Sequence, residues 1–459
     1  MTGLDGEKIQ AMRQEIVEGH IEKTMLKLAY PLIINNMVQV LYNLTDMFWL
    51  GRLGTEELSA PGTAWPLVWF FMSIGMGFAT AGFAFVSQYI GAKDYEKANR
   101  AAGALYSLMM IFSVFVAIFG LIIAPFALDF MRVTPEVYPY ALNYIRVIFI
   151  EIPFSFTLFA FNFLLRAVGD TRTPVKINMF TVFLNIILDP LLIFGWLGFP
   201  KLGVIGAAVA TMFSNSVGSL IGGYLLFKGT VGIHLTLETL KPEWDFYKRI
   251  FRVGLPSSVG SSTDAFGFVV LTRIIYAYGT VAFATYTIGN RLTNFMFAIA
   301  DGISMAMGTM VGQNVGAEKY ERAKKIAEKA MLTNLVVLSI GTLIVAVFRA
   351  QIFGFFINDE RVLAESVKFV KYFAFSLPFF GIFSAVSNVF QSSGHTKKSM
   401  ILGMIRLWAL RIPLAYGLGK FMADTVGVWL GMGLSNFLAA LIGFVWFLKG
   451  SWMRRIIDH

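Results

Sequence analysis

The sequence contains no cysteine. That absence excludes disulfides, zinc–thiolate sites and iron–sulfur clusters. Histidine is nearly as scarce. His20, His234, His395 and His459 are scattered through loops and ends, so no His-rich metal site is legible. Charge is the third shortage: Asp, Glu, Lys and Arg make up 14% of the 459 residues, where a soluble globular chain carries about 25%. No P-loop is present, which argues against an ATP-driven motor. No convergent His/carboxylate set and no Ser-His-Asp arrangement points to an enzyme, and no cofactor is implied. The polar N-terminus lacks a short apolar core followed by small residues, so no cleavable signal peptide is expected.

What fills the sequence instead is apolar: 56% of residues are hydrophobic. A soluble core of this size would lack polar surface to coat it, and a bilayer is the natural solvent for the surplus. Apolar stretches recur at 26–50, 60–90, 101–125, 137–165, 175–197 and 203–228, then at 250–277, 282–312, 329–350, 364–393, 399–419 and 425–449. The pattern predicts an all-α polytopic membrane protein with twelve transmembrane helices. Residues 1–23 read as a cytoplasmic helix on the membrane surface, with Glu15, Glu18 and Glu22 at helical spacing. An N-lobe at 24–228, a polar linker at 229–248, a C-lobe at 249–450 and a cytoplasmic tail at 451–459 complete the division.

The net charge of +10 is a topology signal. Of 38 Lys and Arg, 24 lie in the ends and in the loops after even-numbered stretches, against six in the loops after odd-numbered ones. Basic residues concentrate on the cytoplasmic side. Both termini are therefore expected in the cytoplasm, in a plasma or inner membrane. The same bias accounts for the charge without nucleic acid.

The two halves repeat. Residues 86–102 (VSQYIGAKDYEKANRAA) match 311–327 (VGQNVGAEKYERAKKIA) at an offset of 225. The same offset relates Pro31 to Pro256, and Gly169-Asp170-Thr171 to Gly394-His395-Thr396. Ser214-Asn215 recurs as Ser435-Asn436 at a slightly different offset. Six helices per repeat is an even number, so both halves enter the membrane in the same direction. They are related by a pseudo-two-fold along the membrane normal, as in transporters that rock one half against the other.

Twelve spans, paired Gln-x-x-Gly-Ala-x-x-Tyr-Glu-x-Ala loops, Gly-Asp-Thr-Arg-Thr-Pro at 169–174 and Gly-Ala-Ala-Val-Ala-Thr at 206–211 together resemble the multidrug and toxic compound extrusion (MATE) family. Asp46 with Asn185 and Asp189 resembles its DinF-type branch. The resemblance implies a monomeric antiporter in the bilayer. It would export small cationic or amphipathic drugs and toxins in exchange for H+ or Na+, with the coupling cation at Asp46, Asn185 and Asp189.

The residues support an acidic site independently. Asn35, Gln39, Tyr42 and Asp46 share one face of the first helix; Asn178, Asn185 and Asp189 share one face of the fifth. A carboxylate at bilayer depth costs about 2.5–3.5 kcal/mol on insertion scales and marks function by default. Two such carboxylates can share a proton, or bind Na+ as hard oxygen ligands with amide help. Gln39, Tyr42, Asn162, Asn178 and Thr211 are candidate polar residues of a substrate cavity. Asn162 and Thr211 also fit simple helix bridging. Glu151, just before Pro153, is an isolated charge with no assigned role.

The second half departs from the first: the 225-residue offset puts Leu271 opposite Asp46 and Leu414 opposite Asp189. Its charges are Asp264, Arg273, Arg291, Asp301, Arg406 and Arg411. They read mainly as structural ion pairs, Arg406 and Arg411 with Asp264 or Asp301, and gating is the sharper alternative. The 22 Met and 45 Phe permit an adaptable cavity, although most serve helix packing and lipid contact. Pro31, about four turns before Asp46, is a candidate hinge or a fixed kink. The runner-up function is a flippase for a lipid-linked oligosaccharide. A cavity for pyrophosphate would be lined with Arg and Lys, where the first half shows Asp and Asn.

Overall fold

The computed structural model describes residues 4–357 and 359–458; residues 1–3, Asn358 and His459 lie outside the described residues. It is all-helical. The first half contains α1 (Leu4–Glu18), α2 (Ile21–Leu50), α3 (Thr55–Gly91), α4 (Tyr95–Phe130), α5 (Tyr138–Val168), α6 (Arg172–Phe194) and α7 (Val204–Lys228). The second contains α8 (Trp244–Tyr276), α9 (Thr280–Gly316), α10 (Tyr320–Val347), α11 (Arg349–Phe356), α12 (Glu360–Tyr372), α13 (Leu377–Ser392), α14 (Thr396–Met404), α15 (Ile412–Met422) and α16 (Thr425–Leu448). A π-helical segment, Ile405–Arg411, joins α14 to α15.

Among the described residues, ten helical runs are apolar and long enough to cross a bilayer: α3 to α7, α9, α10, α12–α13, α14–α15 and α16. Helices α2 and α8 bring the spans to twelve. They have the length, 30 and 33 residues, but polar side chains interrupt their apolar character. These include Asn35, Asn36, Gln39 and Asp46 in α2, and the Ser261-Ser262-Thr263-Asp264 run in α8.

The chain forms two compact units, 1–18 with 34–258, and 19–33 with 259–459. The divisions fall inside α2 and α8, after Ile33 and after Ser258. These two positions are 225 residues apart, so they occupy the same register of the repeat, two residues beyond Pro31 and Pro256. The helical range of α8 also begins at Trp244, inside the stretch read from sequence as a linker.

In the first unit, α3, α4 and α7 pack on α5. Helix α1 is docked on protein through Ile9, Ile16 and Val17, all buried. Its Arg13 guanidinium donates to the carbonyls of Ile90 (3.1 Å) and Gly91 (2.7 Å) at the C-terminal end of α3. In the second unit, Leu271, Phe353, Phe369, Trp429 and Met432 belong to one buried cluster, and Trp429 Nε1 donates to Glu365 Oε1 at 2.8 Å.

The repeated loops fold alike. Gly91 is the last helical residue of α3, yet the left-handed position is Lys93 (φ 63°), matched by Glu318 (φ 59°) in the second half. Lys93 N–H donates to Ile90 O and Asp94 N–H to Tyr89 O; Glu318 and Lys319 repeat both bonds on Val315 and Asn314. Gly169 (φ 101°) and Gly394 (φ 80°) do require glycine, because each turns the chain out of a helix in a conformation that a side chain disfavours.

Candidate functional site

The polar side chains of the first unit form three small hydrogen-bonded groups contributed by α2, α5, α6 and α7. Helix α5 contributes Tyr144, Glu151, Ser155 and Asn162 at spacings of 7, 4 and 7, which keep them on one face. Helix α6 contributes Asn178, Asn185 and Asp189, and α7 contributes Thr211 and Asn215. Asn178 Nδ2 donates to Asn35 Oδ1 at 3.2 Å, and Asn162 Nδ2 reaches Asn178 Oδ1 at 3.5 Å. Further along, the hydroxyls of Tyr42 and Thr211 share a hydrogen bond of 3.2 Å. Gln39 takes no part in these bonds; its side chain is exposed.

Asp189 is fully buried and Asn185 is 2% exposed. Paired donor to acceptor on both sides, the Asn185 amide donates to Asp189 Oδ2 at 3.0 Å and accepts the Thr211 backbone N–H at 3.1 Å. The Asp46 carboxylate lies within electrostatic reach of Asp189, and Tyr144 within reach of Asp46, Asp189 and Glu151. The Oδ1 atoms of Asp46 and Asp189 are both buried with no hydrogen-bond partner among the described residues. Buried carboxylate oxygens in native proteins are almost always satisfied. The two unsatisfied oxygens belong to carboxylates that lie within electrostatic reach of each other.

Glu151 is the functional-site candidate for which sequence reasoning found no role. It is 1% exposed. Its Oε1 accepts from the Ser155 hydroxyl one helical turn on, and from Asn215 Nδ2 at 2.7 Å. The repeat held the signal: Asn215 belongs to the Ser-Asn pair that recurs near the end of each half.

The second unit has no counterpart of the acidic pair. Leu271 lies in its buried apolar cluster. The ion pairs expected for Arg406 and Arg411 do not form: among the described residues, neither guanidinium has a carboxylate within salt-bridge distance. Arg411 instead donates to Ser435 Oγ at 3.0 Å and to Asn436 Oδ1. Arg406 lies over the rings of Phe383 and Phe380, 4.7 and 5.2 Å from their centroids. Asp301 Oδ1 accepts from the Ser384 hydroxyl at 3.2 Å. The sequence placed these arginines together at or near membrane level. It could not show that neutral side chains, rather than carboxylates, face them.

Twelve spans in two repeated six-helix halves, short connections and a membrane-level acidic site define a multi-pass transporter. The MatE family model matches residues 31–191 and 256–417, and the chain belongs to this family of multidrug efflux transporters. It is 28% identical over 454 residues to the probable multidrug resistance protein NorM of Thermotoga maritima, covering 97% of this chain and 96% of that one. With the multidrug export protein MepA of Staphylococcus aureus (strain N315) it shares 26% identity over 416 residues, 89% of each chain. A solved multidrug resistance MATE transporter of the MOP superfamily, in an outward-facing conformation, superposes with a TM-score of 0.90 at 25% identity over 99% of both chains.

Proposed function

We propose that the protein is a secondary antiporter of the DinF-type branch, exporting cationic or amphipathic organic molecules in exchange for H+ or Na+. The coupling cation is carried by Asp46 and Asp189, with Asn185 as hydrogen-bond partner or ligand. The observation that carries this reading is the pair of orphaned, buried carboxylate oxygens on α2 and α6. When the ion binds, it satisfies both oxygens and removes like-charge repulsion. When it leaves, the site regains the negative charge that attracts an organic cation. Exchange follows because the two occupants compete for the same electrostatic deficit.

Tyr42 and Thr211 tie α2 to α7 beside Asn185 and Asp189, and Asn35, Asn178 and Asn162 separately tie α2, α6 and α5, so the helices that carry the acidic pair are held by two sets of polar contacts. The division at Ile33 supports Pro31 as a hinge, since the proline removes a backbone hydrogen bond two residues before α2 passes into the first unit. Both termini lie in the cytoplasm, the working unit is a monomer, and the two lobes alternate access by rocking. Efflux from sealed vesicles under imposed pH or Na+ gradients tests the assignment. Gradient-driven export should fall at least about tenfold, or about 1.4 kcal/mol, in Asp46→Asn and in Asp189→Asn. Normal transport by both variants under every gradient would remove the acidic site from the mechanism.

A further inference from the structure

The second unit buries two guanidinium groups that have no carboxylate within salt-bridge distance among the described residues. Arg406 and Arg411 are 5% and 4% exposed. A buried guanidinium is expensive at bilayer depth and is retained for a reason. Among the described residues, Asp264, half-buried on α8, is the carboxylate within electrostatic reach of both, which leaves one positive charge in excess at this pair. Arg411 is fixed by Ser435 and Asn436 on α16. Arg406 has aromatic faces instead, and its buried Nε has no acceptor among the described residues.

The backbone brings the two arginines together. In an α-helix, side chains five positions apart point about 140° away from each other. Arg406 and Arg411 are five apart, and the stretch Ile405–Arg411 that contains them is π-helical. The i→i+5 hydrogen bonding of that segment widens the turn and brings positions five apart towards one side; such segments concentrate at functional sites. The rings of Phe380, Phe383 and Phe373 pack against the same two guanidinium groups. A buried donor fork with no carboxylate at bonding distance among the described residues, lined by aromatic carbon, fits a planar or tetrahedral oxyanion attached to an apolar body.

We propose that Arg406 and Arg411 form a binding site for the carboxylate, sulfonate or phosphate group of an amphipathic molecule. The site lies in the opposite unit from the acidic pair and does not depend on it. An oxyanion there supplies the missing negative charge and an acceptor for Arg406.

The test uses the full-length protein in phosphatidylcholine nanodiscs, with cholate as an amphipathic carboxylate and tetraphenylphosphonium as a cationic control. Calorimetry should show saturable cholate binding to the wild type, unaffected by Asp189→Asn. Arg406→Gln should weaken it by at least about tenfold, while tetraphenylphosphonium binding persists. Arg406→Lys, which keeps the charge, should retain most of the affinity. Phosphatidylglycerol added to the nanodisc identifies the source: competition with cholate, lost in Arg406→Gln, means that lipid headgroups use the same site. Absence of saturable cholate and phosphatidylglycerol binding in the wild type overturns the proposal, whether or not the variants fold. So does anion binding that survives Arg406→Gln in folded protein.

Discussion

The two units share a scaffold and differ in sign. Asn215 donates to Glu151 at 2.7 Å in the first, and Asn436 donates to Ser376 at 2.9 Å in the second. Ser376 stands 225 residues after Glu151, so the same helix–helix contact survives while its acceptor has changed from a carboxylate to a hydroxyl. Around it, the first unit gathers Asp46, Asp189 and Glu151, and the second gathers Arg406 and Arg411. The repeated loop shows the same drift. Asp170 accepts the backbone N–H groups of Arg172 and Thr173 (3.1 and 3.0 Å), opening α6. The imidazole of His395, its counterpart, bonds to Ser393 within its own turn. Duplication preserved the groups that join helices and released the groups that carry charge. The Ser-Asn contact is kept in both units, while Asp46 and Asp189 stand opposite Leu271 and Leu414.

Breaking this contrast at its sharpest point should separate stability from coupling. Leu271 occupies the position of Asp46 and is fully buried among apolar neighbours. Leu271→Ala should cost about 2–5 kcal/mol of stability, read as a lowered midpoint in thermal unfolding. The folded fraction should keep its ion dependence. Asp46→Asn should do the reverse.

A smaller effect is expected at the shared Ser-Asn pair. Asn436→Ala removes an acceptor from a buried guanidinium and a donor from Ser376, costing about 1–3 kcal/mol. Asn215→Ala leaves Glu151 with the Ser155 hydroxyl. It should destabilise less and act instead on export, measured as efflux rate. Equal losses of stability in the two variants would contradict the difference drawn between the units.

An effect confined to acid pH is expected at His395. Burial, with Lys398 nearby, lowers this side chain from its ordinary value to about 4. The folded state holds it neutral while the unfolded chain protonates it near pH 6.5. Its contribution is therefore complete above about pH 6.5 and fades as pH falls towards 4. Between pH 7 and pH 5 the wild type should lose about 2 kcal/mol that His395→Asn does not lose. Parallel pH profiles of unfolding midpoint would refute this. Asp170 offers no such acid-sensitive imidazole in the first half.

Much of this architecture was legible in the sequence because membrane helices are read by length and apolarity, and because a repeat fixes register without any structure. The weak apolarity of α2 and α8 was itself informative: the residues that break it include Asp46 and Asp264. Spacing placed Asn35, Tyr42 and Asp46 on one face, and Asn178, Asn185 and Asp189 on another. It could not show which faces meet. Gln39 satisfied the same spacing as Tyr42, yet its side chain is exposed. Glu151 found no partner on paper because its ligands come from one turn ahead and from α7. The arginines were paired with carboxylates by charge alone, whereas serine, asparagine and phenylalanine surround them. Polar partners from non-adjacent helices are set by tertiary packing, which periodicity does not encode.

The account rests on an ion that leaves Asp46 and Asp189 when substrate arrives. Substrate-induced ion release from purified protein measures this directly, as protons in weak buffer or as displaced radioactive Na+ on addition of tetraphenylphosphonium. The wild type should release one of the two ions in proportion to substrate bound, and Asp46→Asn and Asp189→Asn should release neither. Release undiminished in both variants, or abolished only by changes at Asp264 or Asp301, would place the coupling ion in the second unit and contradict the account.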